Sequence, residues 1–529
     1  MGIGGLTSLI EANGHLYQDV QLRDSRLVVD GANLCHHLYF NSGLDGVHGG
    51  EYSAFADLIE RFVEALRRCG VRLYMVLDGG ADISDKKLQT LIKRATDRIK
   101  QAHEAALSRS GKILPPLTRL LFRQTLVRLE VPVVQCFSEA DREVAALASE
   151  WQCPVLSKDS DFYIFDLPAG LLPIHHFQWE VAEWKGFVPC KIYTASSFCS
   201  IYKIQRHVLP AFAALAGNDY VNLEDMRVSL YLGVHKKARS AYLEALLRWL
   251  RGFQGPREAL VASLRLMGEM SRQKEAEVLK ILSVGMEEYQ LPPSALGRFF
   301  TDGTVPPLPP EVQGLVPDWI RLPFIEGRLP RQILDVLQLK RMNCAAMVEH
   351  SSLPSAYLAS RPIRQVMYGL LLGDASPPHP APPHPAPPRP APPRLAPPRP
   401  APPRTPQLLL SITAESKTAC FRVFLETLEV RWGLLHGTPP QLRLPLAVTC
   451  YWMKHSSPRP ELSVLQALLL GLATPQTHRQ RPARREEKTK LTGFVRLPKR
   501  LRAHRHDSRG ASITFTEGTP VTCVSSRVP

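Results

Sequence analysis

The run RLVVDGAN at residues 26–33 decides the fold of the first half of this chain. Three apolar residues precede Asp30, and the glycine that follows lets the chain turn sharply away from a strand. The pattern recurs in RLYMVLDGG at residues 72–80, where a longer apolar run ends at Asp78. Both segments predict buried strands of a parallel sheet, with an acidic side chain at the carboxyl end of each strand.

The segments around these two runs continue the alternation of strands and helices. Helical patterns at 54–68 and 85–106 separate strand-like runs at 27–30, 72–78, 131–136, 154–157 and 171–175. This order predicts an α/β fold with a mostly parallel sheet and helices on both faces. By composition the chain divides into an α/β core at 1–225, a mainly α-helical lobe at 226–375, a proline-rich PAPP(R/H) repeat linker at 376–406, a helical segment at 407–475 and a basic disordered tail at 476–529.

Bulk features exclude several classes of protein. No apolar run is long enough to span a membrane, and MGIGGLTSLI lacks the basic region of a secretory signal. The ten cysteines are scattered without metal-ligand spacing, so we expect reduced thiols. The motifs GxSxG, HExxH and GxxxxGK[ST] are absent, which argues against an α/β-hydrolase, a zincin and a P-loop NTPase. Most of the net charge of +16 lies in the proline-rich repeat and at 479–510.

Further acidic residues fall where they could join Asp30 and Asp78. Asp159 and Asp161 follow the strand-like run CPVLS, and an extended chain would point both carboxylates to one face. Glu139 and Asp141 begin SEADREVAAL, where Ser138 and Asp141 also fit a helix capping box. Such a concentration of like charges favours the binding of hard divalent cations by these carboxylates. Taken singly, each residue is also explained by a strand-end turn or a helix cap.

Taken together, the motifs resemble one nuclease superfamily. MGIGGL, LVVDGAN, VLDGG, SEADREVAAL, SKDSDFYIF and AGNDY are similar to the motifs of flap endonucleases and XPG-type nucleases, and most similar to the asteroid branch. The resemblance covers about residues 1–225. It implies a PIN-like nuclease core with an acidic cluster that binds two Mg²⁺ or Mn²⁺ ions, and with Gly2 near the site. The implied metal ligands are Asp30, Asp78, Glu139, Asp141, Asp159, Asp161 and Asp219.

Basic residues after Asp78 predict contacts with a nucleic acid. A helix from Ser84 or Asp85 would place Leu88, Leu91, Ile92, Ala95 and Ile99 on one apolar stripe, with basic residues on another face. The resemblance implies that a Lys and an Arg of this helix steady the scissile phosphate. The candidates for catalysis are Lys86 or Lys87 and Lys93 or Arg94, and the candidates for DNA binding are His36, Lys100, Lys236 and Lys237. A solvated basic face is the alternative interpretation of the helix.

These observations predict a structure-specific, divalent-metal-dependent DNA endonuclease of the nucleus. The resemblance implies that it cuts at single-strand/double-strand junctions or overhangs, as part of DNA repair and in contact with repair-complex proteins. We expect no sliding-clamp partner, because PSALGRFF at 293–300 lacks the glutamine of a clamp-binding box. Two alternatives stay open: a non-catalytic PIN-like scaffold in RNA regulation or signalling, and an RNA-directed nuclease.

Overall fold

The computed structural model describes residues 2–81, 87–221, 223, 228–234, 239–350, 352–372, 414–473, 500–503 and 513–516. The chain forms two compact units. The first comprises Met1–Gly43, Ala56–Lys100 and Leu117–Ala346, and the second comprises Leu44–Phe55, Gln101–Pro116 and Met347–Pro529.

A seven-stranded mixed sheet forms the centre of the first unit. Its strands are β1 Tyr17–Leu22, β2 Arg26–Asp30, β3 Arg72–Leu77, β4 Val133–Gln135, β5 Val155–Ser157, β6 Leu171–Pro173 and β7 Val188–Tyr193. The order across the sheet is β1-β7-β6-β5-β2-β3-β4. The five strands from β6 to β4 are parallel, as the sequence predicts, whereas β7 runs antiparallel to both β6 and β1. The antiparallel edge was not predicted, since neither strand follows the Asp-terminated pattern.

The central strands are covered on both faces. Leu27, Val28 and Val29 of β2 are completely buried, and so are Val155 and Leu156 of the neighbouring β5. A parallel strand with helices on each side can be apolar throughout, because neither face meets water. The polar end of β2, at Asp30, therefore marks where the strand leaves this apolar layer.

The other regular elements of the described residues are mainly helices. The α-helices are α1 Leu6–Glu11, α2 Gly31–Asn41, α3 Tyr52–Arg68, α4 Leu88–Ser108, α5 Thr118–Arg128, α6 Asp141–Glu150, α7 Ala182–Lys185, α8 Ala195–Tyr202, α9 Leu209–Ala216, α10 Arg239–Leu250, α11 Pro256–Ser263, α12 Arg272–Glu287, α13 Leu296–Asp302, α14 Asp318–Ile325, α15 Gln332–Leu339, α16 Ala356–Ala359, α17 Arg361–Leu372, α18 Ala414–Thr427, α19 Pro440–His455 and α20 Leu462–Ala473. Short 3₁₀ helices occur at Gly14–Leu16, Ser160–Tyr163, Ile174–His176, Trp179–Val181, Arg206–Val208, Leu264–Leu266, Pro310–Val312 and Trp432–Leu435.

The basic helix predicted at 85–106 is α4, but its apolar stripe is not a buried face. Ile92 and Ile99 are 45% and 57% exposed, while Ala102 and Ala105 near the end of the helix are buried. The residues expected to cap this helix, Ser84 and Asp85, lie outside the described residues. The periodicity identified a helix correctly and its contact face wrongly, because burial depends on what packs against a helix.

The second unit has a small core of its own. Leu425, Leu428, Val430, Leu435, Ala447 and Tyr451 pack together, and Ile363 of α17 is among the partly buried residues against them. Two short antiparallel strands, β8 Arg500–Ala503 and β9 Ile513–Thr516, pair within the basic tail. In the described part of the chain, no helix combines the length and the apolarity needed to cross a bilayer.

Candidate metal and nucleic-acid site

Three neighbouring strands bring the first acidic residues to one edge of the sheet. Asp30 ends β2, Asp78 follows β3, and Asp159 lies two residues after the end of β5. Because β5, β2 and β3 are adjacent and parallel, their carboxyl ends meet at the same edge. The predicted strand ends are therefore confirmed as neighbours in space.

Each carboxylate oxygen of Asp30 accepts a hydrogen bond. Its Oδ1 accepts from the Asn33 amide at 3.0 Å, which caps α2, and its Oδ2 accepts from Ser157 Oγ at 2.9 Å. Burial, followed by the charges of Asp78 and Asp159, raises the pKa of Asp30 to about 7. A carboxyl group with so high a pKa gains from a bound cation, since a cation offsets both the desolvation and the repulsion.

Asp159 and Asp161 reach the site by a different local structure from the one predicted. They belong to a 3₁₀ turn rather than an extended strand, with Asp159 capping Ser160–Tyr163 through a 3.3 Å bond from the Asp161 amide. The correction has a local cause, because a free aspartate at a strand end competes for nearby amides. Both residues are buried. Burial and then Asp159 raise the pKa of Asp161 to about 7, and burial also raises that of Asp159.

The capping box predicted at 138–141 does not form. Helix α6 begins at Asp141, and Ala140 precedes it without a side-chain cap. The Ala140 amide instead donates to Asp78 Oδ1 at 3.3 Å, so a carboxylate from the neighbouring strand end meets the start of the helix. Desolvation, followed by repulsion from Asp159, Asp30, Asp78 and Glu139, raises the pKa of Asp141 well above its usual range. Asp141 thereby belongs to the same cluster.

Lys87 and Arg94 are the basic residues of α4 and the turn before it that meet the acids. Arg94 Nη2 donates to Asp219 Oδ1 at 2.6 Å. Lys87 Nζ donates to Glu139 Oε2 and lies 3.9 Å from Asp219 Oδ2. Burial lowers the pKa of Lys87, but the charges of Glu139, Tyr220 and Asp219 outweigh it and raise the pKa overall.

The sequence left two choices open among the candidates for catalysis, Lys86 or Lys87 and Lys93 or Arg94. Lys93 and Lys100 are exposed, whereas Lys87 and Arg94 contact the cluster. Lys86 lies outside the described residues, and so do Lys236 and Lys237, two of the candidates for DNA binding.

Gly2 lies against the acids, as the resemblance implies. Its φ is +66°, and an added Cβ would stand 2.4 Å from Ser160 Oγ, 2.7 Å from Asp159 Oδ1 and 2.9 Å from Asp161 Oδ1. The adjacent Ile3 amide donates to Ser160 Oγ at 2.8 Å. Only a residue without a side chain fits both this conformation and this space.

His36 lies on α2 and is paired with arginine rather than with an acid. Arg119 Nη2 donates to His36 Nε2 at 3.1 Å, and the ring of Phe40 lies 5.7 Å from the imidazole. Because Nε2 accepts this hydrogen bond, the neutral imidazole carries its proton on Nδ1. Burial, then the charges of Arg119, Arg98 and Lys158, lowers the pKa of His36 to about 3.

Three further residues complete the site without having been predicted. Ser157 joins the strand ends, donating to Asp30 and accepting from the Asp159 amide at 3.0 Å. Tyr220 donates to Glu139 Oε2 at 2.9 Å, and its ring lies 4.1 Å from Lys87 Nζ. Tyr289 donates to Asp161 Oδ1 at 2.6 Å. Ser157 and Tyr220 lie within the motifs SKDSDFYIF and AGNDY, whereas nothing in the sequence around Tyr289 signals its role.

The donor set fits divalent cations. All of the acids are hard oxygen ligands, four of them have raised pKa values, and Gly2 leaves space beside two of them. In the described residues, no three of the seven carboxylates have oxygens all within 4.8 Å of one another.

Known proteins resemble this chain over most of its length. It is 38% identical over 497 residues to the human "Single-strand DNA endonuclease ASTE1", a match that covers 89% of this chain and 72% of the relative. It is 29% identical over 310 residues to the Drosophila melanogaster "Protein asteroid", covering 47% and 36% of the two chains. No family model matches the sequence.

Among solved structures, the catalytic core of Rad2 in complex with DNA substrate aligns with 65% of this chain and 100% of its own. The two share 17% sequence identity with a TM-score of 0.35. The family follows from the relatives, because the 38% identity extends over nearly the whole of this chain and most of the human protein. The chain is an asteroid homologue and belongs to the ASTE1/asteroid family.

Proposed function

We propose that this protein is a divalent-metal-dependent DNA endonuclease that hydrolyses phosphodiesters at single-strand/double-strand junctions or overhangs. The observation that carries the proposal is the convergence of seven acidic residues with Lys87 and Arg94 at one edge of the sheet. The relatives named single-strand DNA endonuclease support DNA as the substrate.

In this proposal the acidic residues bind metal ions and the basic residues bind the phosphate. When bound, two Mg²⁺ or Mn²⁺ ions would activate the attacking water and stabilise the leaving oxygen. The candidate ligands are Asp30, Asp78, Glu139, Asp141, Asp159, Asp161 and Asp219. Ser157 and Tyr289 hold the carboxylates of Asp30 and Asp161 in fixed directions. A site prearranged in this way needs little reorganisation during the reaction.

Lys87 and Arg94 would receive the scissile phosphate. Both now pair with carboxylates at the cluster, so a phosphate oxygen that enters finds cationic donors already directed there. Arginine suits phosphate because its planar fork offers two parallel donors, whereas lysine acts as a point charge. Their positive charge is worth most where negative charge grows on the phosphate in the transition state.

The proposal also covers DNA binding and the location of the protein in the cell. His36, Lys93 and Lys100 are candidates for DNA contacts, with Lys236 and Lys237 beyond the described residues. The basic stretch at 479–510 supports non-specific nucleic-acid affinity and nuclear import. The resemblance of the nuclease motifs supports a role in DNA repair. A truncation after Pro475 that leaves the salt dependence of binding and the nuclear location unchanged would contradict the role of this stretch.

A cleavage panel tests the proposal directly. Labelled flaps, overhangs, single strands and RNA are incubated with Mg²⁺ and with wild type, Asp159→Asn/Asp161→Asn, or Asp19→Asn/Asp57→Asn. The last variant alters two exposed acids and serves as the matched control. We expect wild type and the control to cut junction DNA, and the first variant to be inactive.

Each alternative has its own outcome in this panel. Faster cleavage of RNA than of any DNA would favour the RNA-directed nuclease. Binding without cleavage of every substrate by wild type would favour the scaffold. Wild-type cleavage rates in Asp159→Asn/Asp161→Asn would reject the acidic cluster as the catalytic site.

A further inference from the structure

A second group of metal-ligand side chains lies outside the acidic cluster. Glu11 is the last residue of α1, and His175 and His176 belong to the 3₁₀ turn that follows β6. His175 Nε2 lies 2.6 Å from Glu11 Oε1, and His176 Nε2 lies 3.0 Å from Glu11 Oε2. Each of the three residues offers one ligand atom that lies within 4.8 Å of the other two. No other group of three or more acidic, histidine or cysteine residues in the described part of the chain meets this distance.

The spacing of these atoms is close to what a zinc ion requires. Zinc binds imidazole nitrogen and carboxylate oxygen at about 2.0–2.1 Å in tetrahedral geometry, which separates neighbouring ligand atoms by about 3.3 Å. His175 Nε2 stands 2.6 Å from Glu11 Oε1, and His176 Nε2 stands 3.2 Å from Oε1 and 3.0 Å from Oε2 of the same carboxylate. One ligand atom from each residue lies within 4.8 Å of the other two, so the three side chains converge on one point.

The ligand types also separate this group from the acidic cluster. Two imidazoles and one carboxylate form a set that zinc prefers, whereas hard magnesium favours oxygen alone. The side chains of Glu11 and His175 are 34% exposed and that of His176 is 25% exposed. An ion can therefore enter from solvent, and a water molecule can supply the fourth ligand.

Glu11 has the supporting contacts that metal-binding carboxylates commonly show. The hydroxyl of buried Tyr17 donates to Glu11 Oε1 at 2.5 Å, and a 3.1 Å hydrogen bond joins Tyr17 to Tyr163. The ring of Tyr17 also packs edge-on against His176 at 5.1 Å. Hydrogen bonds of this kind orient a ligand and strengthen its metal affinity.

We propose that Glu11, His175 and His176 form a zinc site that fastens the N-terminal helix to the sheet. Helix α1 would then be held at both ends, by zinc at Glu11 and by the Ile3–Ser160 hydrogen bond at its start. The position of Gly2 against Asp159 and Asp161 depends on that same segment. The site is separate in chemistry from nuclease activity, so either can be present without the other.

Metal content in competition with magnesium tests the site. Each protein, without an affinity tag, is exposed to Zn²⁺, dialysed against millimolar Mg²⁺ and analysed by mass spectrometry for bound zinc. Co²⁺ replaces Zn²⁺ in a parallel experiment, because four-coordinate cobalt absorbs strongly in the visible range and six-coordinate cobalt does not.

Five proteins decide the result. We expect one equivalent of zinc and a strong cobalt band in wild type, in Asp159→Asn/Asp161→Asn and in the control His48→Gln/His207→Gln. His175→Gln/His176→Gln should retain neither. Tyr17→Phe should bind zinc about 10–100-fold more weakly, since only the supporting hydrogen bonds are lost.

Three results would overturn the zinc site. The first is a full equivalent of zinc in His175→Gln/His176→Gln, and the second is no retained zinc in wild type. The third is retention that disappears only in Asp159→Asn/Asp161→Asn. If the double histidine variant does not fold, Glu11→Gln replaces it, and it must lose zinc while keeping the circular dichroism of wild type.

Discussion

The hydroxyl of Tyr289 donates a 2.6 Å hydrogen bond to Oδ1 of Asp161, a residue 128 positions earlier in the chain. Asp161 stands at the edge of the sheet, and Tyr289 follows α12 in the helical part of the same unit. Both side chains are buried. A helical segment with no acidic motif of its own therefore takes part in holding the candidate metal site.

Replacing Tyr289 with phenylalanine should weaken the site. The change removes one hydrogen bond to a buried carboxylate, which is worth about 1.5–3 kcal/mol. We expect a higher Mg²⁺ concentration for half-maximal cleavage and a lower free energy of unfolding in urea. Tyr231→Phe, at a tyrosine that is 77% exposed, is the control. Equal magnesium dependence in the two variants would show that the Tyr289 contact is dispensable.

Gly2→Ala should abolish cleavage by crowding the carboxylates. Its Cβ would lie within 3.0 Å of Ser160, Asp159 and Asp161. Gly186→Ala is a matched control, because Gly186 has a φ of +71° and nothing within 4 Å of an added Cβ. Both variants carry the backbone strain of a positive φ, and only the first one meets the site. Similar cleavage by the two proteins would place Gly2 away from the chemistry.

Lys87 and Arg94 should differ from Lys93 and Lys100 in how their loss affects cleavage. Alanine at Lys87 or Arg94 should lower the single-turnover rate by on the order of 10²-fold, as for other transition-state charge donors. Alanine at Lys93 or Lys100 should weaken DNA binding and reduce the salt slope by about one. Rates at saturating protein separate the two effects. If all four substitutions alter affinity alone, the helix contributes only to binding.

Neutralising two acids should stabilise the protein when divalent cations are removed. Asp159 and Asp161 are buried beside each other, and desolvation and repulsion oppose their ionisation. Asp159→Asn/Asp161→Asn should raise the melting temperature in a chelating buffer and abolish the increase that Mg²⁺ produces in wild type. The control Asp19→Asn/Asp57→Asn should keep the magnesium-dependent increase. A lower melting temperature in chelator would contradict net repulsion at these two positions.

His36 should make the stability depend on pH in the acid range. Its pKa is lowered in the folded state to about 3, and that of His37 to about 4, both mainly by burial. The unfolded chain binds these protons from about pH 6.5 downwards, so stability present above that pH is lost as the pH falls towards the folded values. The loss per histidine is at most about 1.4 kcal/mol per pH unit.

Urea unfolding between pH 7 and pH 4 measures this contribution. The decline in stability should be shallower in His36→Gln than in wild type, while His207→Gln, at an exposed histidine, should follow wild type. Parallel curves for His36→Gln and wild type would mean that His36 takes up its proton in the folded state.

Local patterns in the sequence determined the five parallel strands, the helices predicted at 54–68 and 85–106, and the acids at the strand ends. Strand runs and Asp-Gly turns depend on residues close in the chain, so they are readable without tertiary structure. The sequence did not show which local hydrogen bonds form. The capping box at Ser138 is missing, and a 3₁₀ turn follows Asp159 where an extended strand end was expected.

Only the tertiary structure decided which side chains meet. The rotation of α4 about its axis relative to the acids distinguishes Arg94 from Lys93, and periodicity carries no information about that rotation. Tyr289 reaches Asp161 across 128 residues, and His175 reaches Glu11 across 164. Such contacts depend on how distant segments of the chain pack against each other. A sequence pattern within one segment contains no information about that packing.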